Sequence, residues 1–303
     1  MTTPMLAARR GVASLAVVAL GTVPMVGARP APAARMPPAT VRTAAPEHPV
    51  YFFDERAFAT AIADAGPARS IPGVRGIVVP HHWLAGRLIV GSIRDLAASG
   101  ARITRVILIG PNHIGTGGMP FATSDRPWRT AFGRVDPDAE AVASLTASGP
   151  ASLAPDVLTY EHSISGIVPV IRWFLPDARI VPVAIRGHTS PAKLRSLATS
   201  LGRLMTPGTV VIASVDFSHY RSAGEAARHD ADTIRSLRTM DESRILGFGN
   251  DNLDSPATIT VLLEMMKAAG ATRFELLSHA NSSEFGGSVA PPNVTSYLCV
   301  AYR

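Results

Sequence analysis

Three histidines in this chain each follow a short apolar run rich in β-branched residues: Val78-Val79-Pro80-His81, Leu108-Ile109-Gly110-Pro111-Asn112-His113 and Ala213-Ser214-Val215-Asp216-Phe217-Ser218-His219. Runs of this kind read as strands buried on both faces, which is the habit of parallel sheets covered by helices. Open sheets of that class bind ligands beyond the carboxyl ends of their strands. The pattern therefore constrains fold and site together: imidazoles are delivered to one sheet edge, and Asp216 stands three residues before one of them.

From about residue 50 the periodicity alternates between strand and helix. Strands are expected over 76–79, 105–109, 179–185, 209–215, 273–278 and 296–302. Helices are expected over 84–98, 138–146, 163–174 with Pro169 kinking or ending it, 191–205, 224–237, 241–248 and 256–269. This is the order of an α/β fold with a largely parallel or mixed central sheet and helices on both faces.

Hydrophobic residues make up 47% and charged residues 17% of the 303, enough apolar surface for a sizeable core. The formal charge of +6 does not point to nucleic acid, because five arginines (Arg9, Arg10, Arg29, Arg35, Arg42) are the only charges in the first 43 residues. The rest is nearly neutral and lacks a basic cluster with interleaved aromatics, so nucleic acid is not an expected partner. Arg9-Arg10, the apolar stretch from Val12 to Val26 and the small residues Val26-Gly27-Ala28 form an export signal over 1–28. The apolar run is short and broken for a membrane span, so no integral membrane domain is expected in the mature chain, although an uncleaved anchor is the alternative. Residues 29–48 are Pro/Ala-rich and read as a tether that contains His48, and 49–303 as one domain in a periplasmic or extracellular location. The one cysteine, Cys299, lies in an apolar strand and reads as a buried, inert thiol.

Neutral imidazole is the commonest protein ligand for zinc, copper and iron. A lone loop histidine is ordinarily a hydrogen-bonding residue. His81, His113 and His219 at three strand ends, with Asp216, instead suggest a metal site in a cleft.

Four segments in this order resemble the Memo family, which includes AmmeMemoRadiSam system protein B: Pro80-His81, Gly110-Pro111-Asn112-His113, Glu161-His162-Ser163-Ile164 and Asp216-Phe217-Ser218-His219-Tyr220. Trp128-Arg129-Thr130-Ala131-Phe132-Gly133 is similar to a further family segment with substitutions, and the likeness covers about 74–303. The resemblance implies a fold similar to class III extradiol dioxygenases. It implies His81 and His113 as metal ligands, His219 as acid/base or third imidazole, Asp216 beside it, and His162 with Glu161 lining the cleft. Two departures stand out. His82-Trp83-Leu84 replaces the usual alanine-glycine-tyrosine, making His82 an extra candidate ligand. Asp254 falls where the family often has a cysteine, and either it is a ligand or it or Ser255 caps the helix that starts at Pro256. His279, at a strand end, is a further candidate.

If Asp254 is a ligand, two histidines and a carboxylate form the set used by non-haem iron(II) oxygenases. The expected function is then a metal-dependent, extradiol-dioxygenase-like oxidoreductase with iron(II) favoured and copper or zinc possible. His219 would move protons on a small-molecule substrate, with Asp216 adjusting it. Two alternatives are a non-catalytic metal- or ligand-binding module, with a peptide or small molecule as partner, and a zinc-dependent hydrolase.

Overall fold

The computed structural model describes residues 46–115, 117–286 and 293–303. The expected signal segment and residues 29–45 of the tether lie outside them. The strands are β1 (Gly76–Val79), β2 (Arg105–Pro111), β3 (Phe121–Thr123), β4 (Trp128–Thr130), β5 (Gly133–Val135), β6 (Ser152–Leu153), β7 (Arg179–Ile185), β8 (Thr209–Ser214), β9 (His219–Arg221), β10 (Phe274–Asn281) and β11 (Val294–Tyr302). β4 and β5 form a separate hairpin; the others form one sheet in the order β10-β11-β1-β8-β2-β7-β3-β6, with β9 added to β11.

The middle of this sheet, β1-β8-β2-β7, is wholly parallel. Antiparallel neighbours flank it: β11 beside β1 and β3 beside β7. The parallel strands are apolar on both sides because both faces are covered. Val78, Ile107, Ile109, Val211 and Ala213 pack with Leu194, Leu197 and Leu201 of the helix Pro191–Gly202 and with the helix Pro256–Ala268. The alternate residues Ile77, Val79, Val106, Leu108 and Ile212 pack with Ile89, Val90, Ile93 and Leu96 of the helix Gly86–Ala97. The result is the expected mixed sheet with helices on both faces. Each fully buried Val, Ile or Leu contributes about 1.5–3 kcal/mol, so this double coverage is the main source of stability.

The long strands match the expected runs within a few residues. The segment 163–174 is instead two helices, His162–Ser165 and Val168–Phe174, separated at Gly166-Ile167. Pro169 sits in the first turn of the second helix, where its missing N–H costs no hydrogen bond. The strands of two or three residues (β3, β6, β9) are too short to show a period, and the helix Glu55–Asp64 buries only Phe58 and Ala61.

His48 corrects the tether boundary. It is fully buried, bridges in parallel to Trp128, and packs on that indole at a tilt of 31° with ring centroids 4.1 Å apart. Thr159 Oγ1 donates to Pro155 O, which leaves it to accept from His48 Nδ1–H at 2.7 Å; Nε2 then accepts from Ser124 Oγ–H at 2.6 Å. Burial lowers the His48 pKa to about 4, with Arg126 contributing, so this imidazole is a neutral core group. Among the described residues no helix is long and apolar enough to cross a membrane.

Candidate metal centre

Strand register brings the site together. Val79 of β1 pairs with Ser214 of β8, so His81 and Asp216, each two residues further on, leave neighbouring strands at one height. His81 N–H donates to Asp216 Oδ1 at 3.0 Å. β2, on the other side of β8, delivers His113 to the same edge. The fourth contribution needs a glycine. A Cβ on Gly110 would lie 2.5 Å from Ser163 Oγ, so only glycine lets the helix His162–Ser165 approach β2 this closely. Ser163 Oγ–H donates to Pro111 O at 3.1 Å, fixing Glu161 and His162 beside His113.

The donor atoms converge. Asp254 Oδ2 lies 3.2 Å from His81 Nε2 and 3.5 Å from His113 Nε2, and Asp216 Oδ2 lies 3.6 Å from His81 Nε2. The rings of His113 and His162 stack at 4.2 Å, and the His81 ring stands edge-on to both. Donor atoms of His81, His113 and His162 lie within 4.8 Å of one another, as do those of His81, Asp216 and Asp254. His162, read from the sequence as a residue lining the cleft, thus stands inside a donor cluster.

Both imidazoles that face Asp254 are held from behind. Glu161 Oε1 accepts from His113 Nδ1–H at 2.8 Å, while the same carboxylate accepts from the backbone N–H groups of His113 and Ser163. On the other ring, His81 Nδ1 meets Ser214 Oγ at 3.3 Å. Such outer contacts fix the tautomer so that Nε2 faces the centre. Asp254 stands at the head of the helix Pro256–Ala268 without capping it: Ser255 Oγ accepts from Thr258 N–H at 3.2 Å and takes the cap. Asp254 Oδ1 is buried with no hydrogen-bond partner among the described residues.

The electrostatics follow from this crowding. Burial disfavours a charged His113, but Asp254 and Glu161 outweigh it and push the pKa up to about 10. Burial likewise opposes charge on His81, and Asp216 and Asp254 hold its pKa above the ordinary value. Asp254 is kept below the usual carboxylate range by both imidazoles despite its burial, and Glu161 is lowered by His113 in the same way. His162 goes the other way, to about 4, through burial and the positive neighbours His81 and His113. It keeps a lone pair at neutral pH.

The donor set fits a first-row divalent metal. It offers imidazole nitrogens and carboxylate oxygens around one point, and one buried carboxylate oxygen lacks any other partner among the described residues. No cysteine belongs to either donor group among the described residues: Cys299 is buried in the core with Sγ 3.8 Å from Leu88 O, and burial pushes its thiol up to about 12. A cavity of about 510 Å³ opens from the cluster, with Phe52, Trp83, His219 and Tyr220 among its walls. His219 therefore reaches the cleft, with Nδ1 buried and unpartnered, but it lies outside both donor clusters. His82 lines the cavity and also belongs to neither cluster. His279 does not line this cavity; it pairs with the buried Asp230 at 2.8 Å.

A family model described as Memo-like protein matches residues 55–299. A MEMO1 family protein of Methanopyrus kandleri is 29% identical over 239 residues, covering 75% of this chain and 83% of that protein. One from Methanosarcina barkeri is 30% identical over 226 residues, covering 71% and 82%. Among solved structures, an uncharacterized protein of Escherichia coli K12 superposes with a TM-score of 0.53 at 15% identity, covering 75% of this chain and 99% of its own. That last likeness concerns the fold alone.

Proposed function

The chain belongs to the Memo family, and from that premise we propose that its cleft binds one divalent transition metal and uses it in oxidoreductase chemistry on a small organic molecule. One observation carries this reading: Asp254 Oδ2 faces the Nε2 atoms of both His81 and His113 while its other oxygen is buried without a partner among the described residues. His81, His113 and Asp254 would hold the metal, with His162 and Asp216 close enough to add a donor. Two imidazoles and a carboxylate suit iron(II), with copper and zinc as competitors. When bound, the metal supplies a Lewis-acidic or redox-active centre with positions left for substrate.

The protein side chains do the rest. Glu161 and Ser214 orient the two imidazoles. His219, on the cavity wall, gives or takes a proton on the bound molecule, a role typically worth about 10²–10⁴ in rate. Trp83 and Phe52 supply apolar walls to the space above the cluster. Export through the N-terminal segment is part of the same proposal and is tested by the mass of the mature protein.

A second reading is a binding module without turnover. The exposed aromatics near the cavity favour it: Phe52 and Tyr220 line it, and Tyr51 stacks on Tyr160 next to Phe52. The experiment separates the two. Protein prepared without oxygen and loaded with iron(II) is expected to bind one equivalent and to consume oxygen with members of a catechol panel. Metal without oxygen uptake supports the binding module. Retention of metal in both His81→Ala and His113→Ala overturns the site itself.

A further inference from the structure

His82 stands next to a metal-facing histidine and makes a contact of a different kind. Its Nδ1 lies 2.8 Å from Tyr297 Oη. Tyr297 is fully buried in β11, and His82 is the hydrogen-bond partner of its hydroxyl among the described residues. A buried hydroxyl that donates to nothing loses its solvation without compensation, so the phenol proton is donated to Nδ1. A neutral imidazole that accepts at Nδ1 carries its own proton on Nε2. That Nε2–H has no partner among the described residues, on an exposed side chain that lines the cavity.

The plain alternative is that His82 merely satisfies the tyrosine. Its surroundings argue for more. The donor faces a cavity whose other walls include the aromatic rings of Phe52, Trp83 and Tyr220. Trp83 is itself held edge-on by Phe53 at 5.2 Å. Flat walls select flat ligands, and a single fixed N–H among them selects where an oxygen must sit.

We propose that His82, held by Tyr297 as the Nε2–H form, is a specificity-determining donor that receives a carboxylate or carbonyl oxygen on the edge of an aromatic ligand, while that ligand's other oxygens face His81, His113 and Asp254. This deepens the proposed function and rests on it. An uncompensated donor is what lets a site prefer a ligand carrying the matching acceptor over one lacking it.

Zinc-loaded full-length protein, in which no redox turnover intervenes, tests this by calorimetric titration with catechol and with 3,4-dihydroxybenzoate. The wild type is expected to prefer the carboxylated compound by at least about tenfold, the low end of what a hydrogen bond to a charged acceptor contributes. His82→Ala, at an exposed position, is expected to bring that ratio to about 1 with zinc content and catechol affinity unchanged. His82→Gln, which keeps a donor, retains part of the preference. Tyr297→Phe lowers the ratio, because the imidazole then divides between both tautomers. A ratio unchanged in His82→Ala, or an equal loss for both compounds, overturns the proposal. Wild-type protein that holds zinc but binds neither compound overturns this proposal alone; protein that holds no metal overturns the proposed function as well.

Discussion

Two clusters, each built on a buried carboxylate that meets imidazole, flank the loop that carries Asp216 and His219, and they are built oppositely. In one, Asp230 Oδ1 accepts from the hydroxyls of Ser218 and Ser296 at 2.7 Å each, and Oδ2 holds His279 at 2.8 Å. Both oxygens of this carboxylate are engaged, and the cluster pins the helix Ala223–Thr239 to β11 and the loop. In the other, Asp254 Oδ2 accepts from Asp216 N–H at 3.3 Å and faces both imidazoles, while Oδ1 is buried with no partner among the described residues. Composition does not separate the two; satisfaction of hydrogen bonds does. A cluster whose carboxylate oxygens are both engaged reads as structure, whereas one with converging donors and an unengaged buried oxygen is a candidate site.

Substitutions sharpen that contrast. Asp254→Ala is expected to lower metal affinity by about a hundredfold or more, since 10–16 kcal/mol of structural zinc affinity spread over four ligands is about 3 kcal/mol each. Competition with a chelator measures it. Asp230→Ala reverses the readout: stability falls by about 2–3 kcal/mol, because two buried hydroxyls and His279 lose their acceptor. Metal affinity should stay within about threefold, as expected for groups that share no partner with the metal ligands. If Asp230→Ala instead strips the metal, the division between the clusters is wrong. Glu161→Gln lies between them, with an expected loss of about 10–100-fold in metal affinity, the usual effect of an outer-shell carboxylate.

A pH comparison breaks the pair differently. His48 is buried neutral, with its pKa at about 4 in the fold against about 6.5 unfolded. Its contribution is complete above pH 6.5 and lost as pH falls toward 4; about 2 kcal/mol is gone by pH 5. His279 has the opposite sign. Asp230 raises its pKa, so its contribution is complete below 6.5 and lost as pH rises through the folded value. Denaturant melts across pH 4–9 should therefore show His48→Asn flattening the acid side and Asp230→Asn the alkaline side. Equal slopes in the variants and the wild type would refute the assignment of either tautomer or charge.

Much of this was legible in the chain. The apolar runs before His81, His113 and Asp216 gave the strands, and adjacency of β1, β8 and β2 then placed those residues together. Asp254 was open between ligand and cap, because an aspartate followed by Ser-Pro serves both roles in one dimension. The structure separates them by giving the cap to Ser255. His162 in the donor cluster required the close approach at Gly110, a tertiary fact with no periodic signal. His219 is a candidate acid/base or third imidazole because it follows a strand end as His81 and His113 do. The segment 216–218 carries it to the cavity wall and into β9, outside both donor groups. His48 read as tether because proline and alanine precede it, although its partners Ser124 and Thr159 lie at least 76 residues away.

The most direct test of the centre is X-ray absorption at the metal edge of the loaded protein. A shell of nitrogen and oxygen only, at about 2.0–2.2 Å, with the outer scattering of at least two imidazoles that disappears in the double variant His81→Ala/His113→Ala, is the expected result. Sulfur at about 2.3 Å, or a spectrum unchanged in that variant, would contradict it.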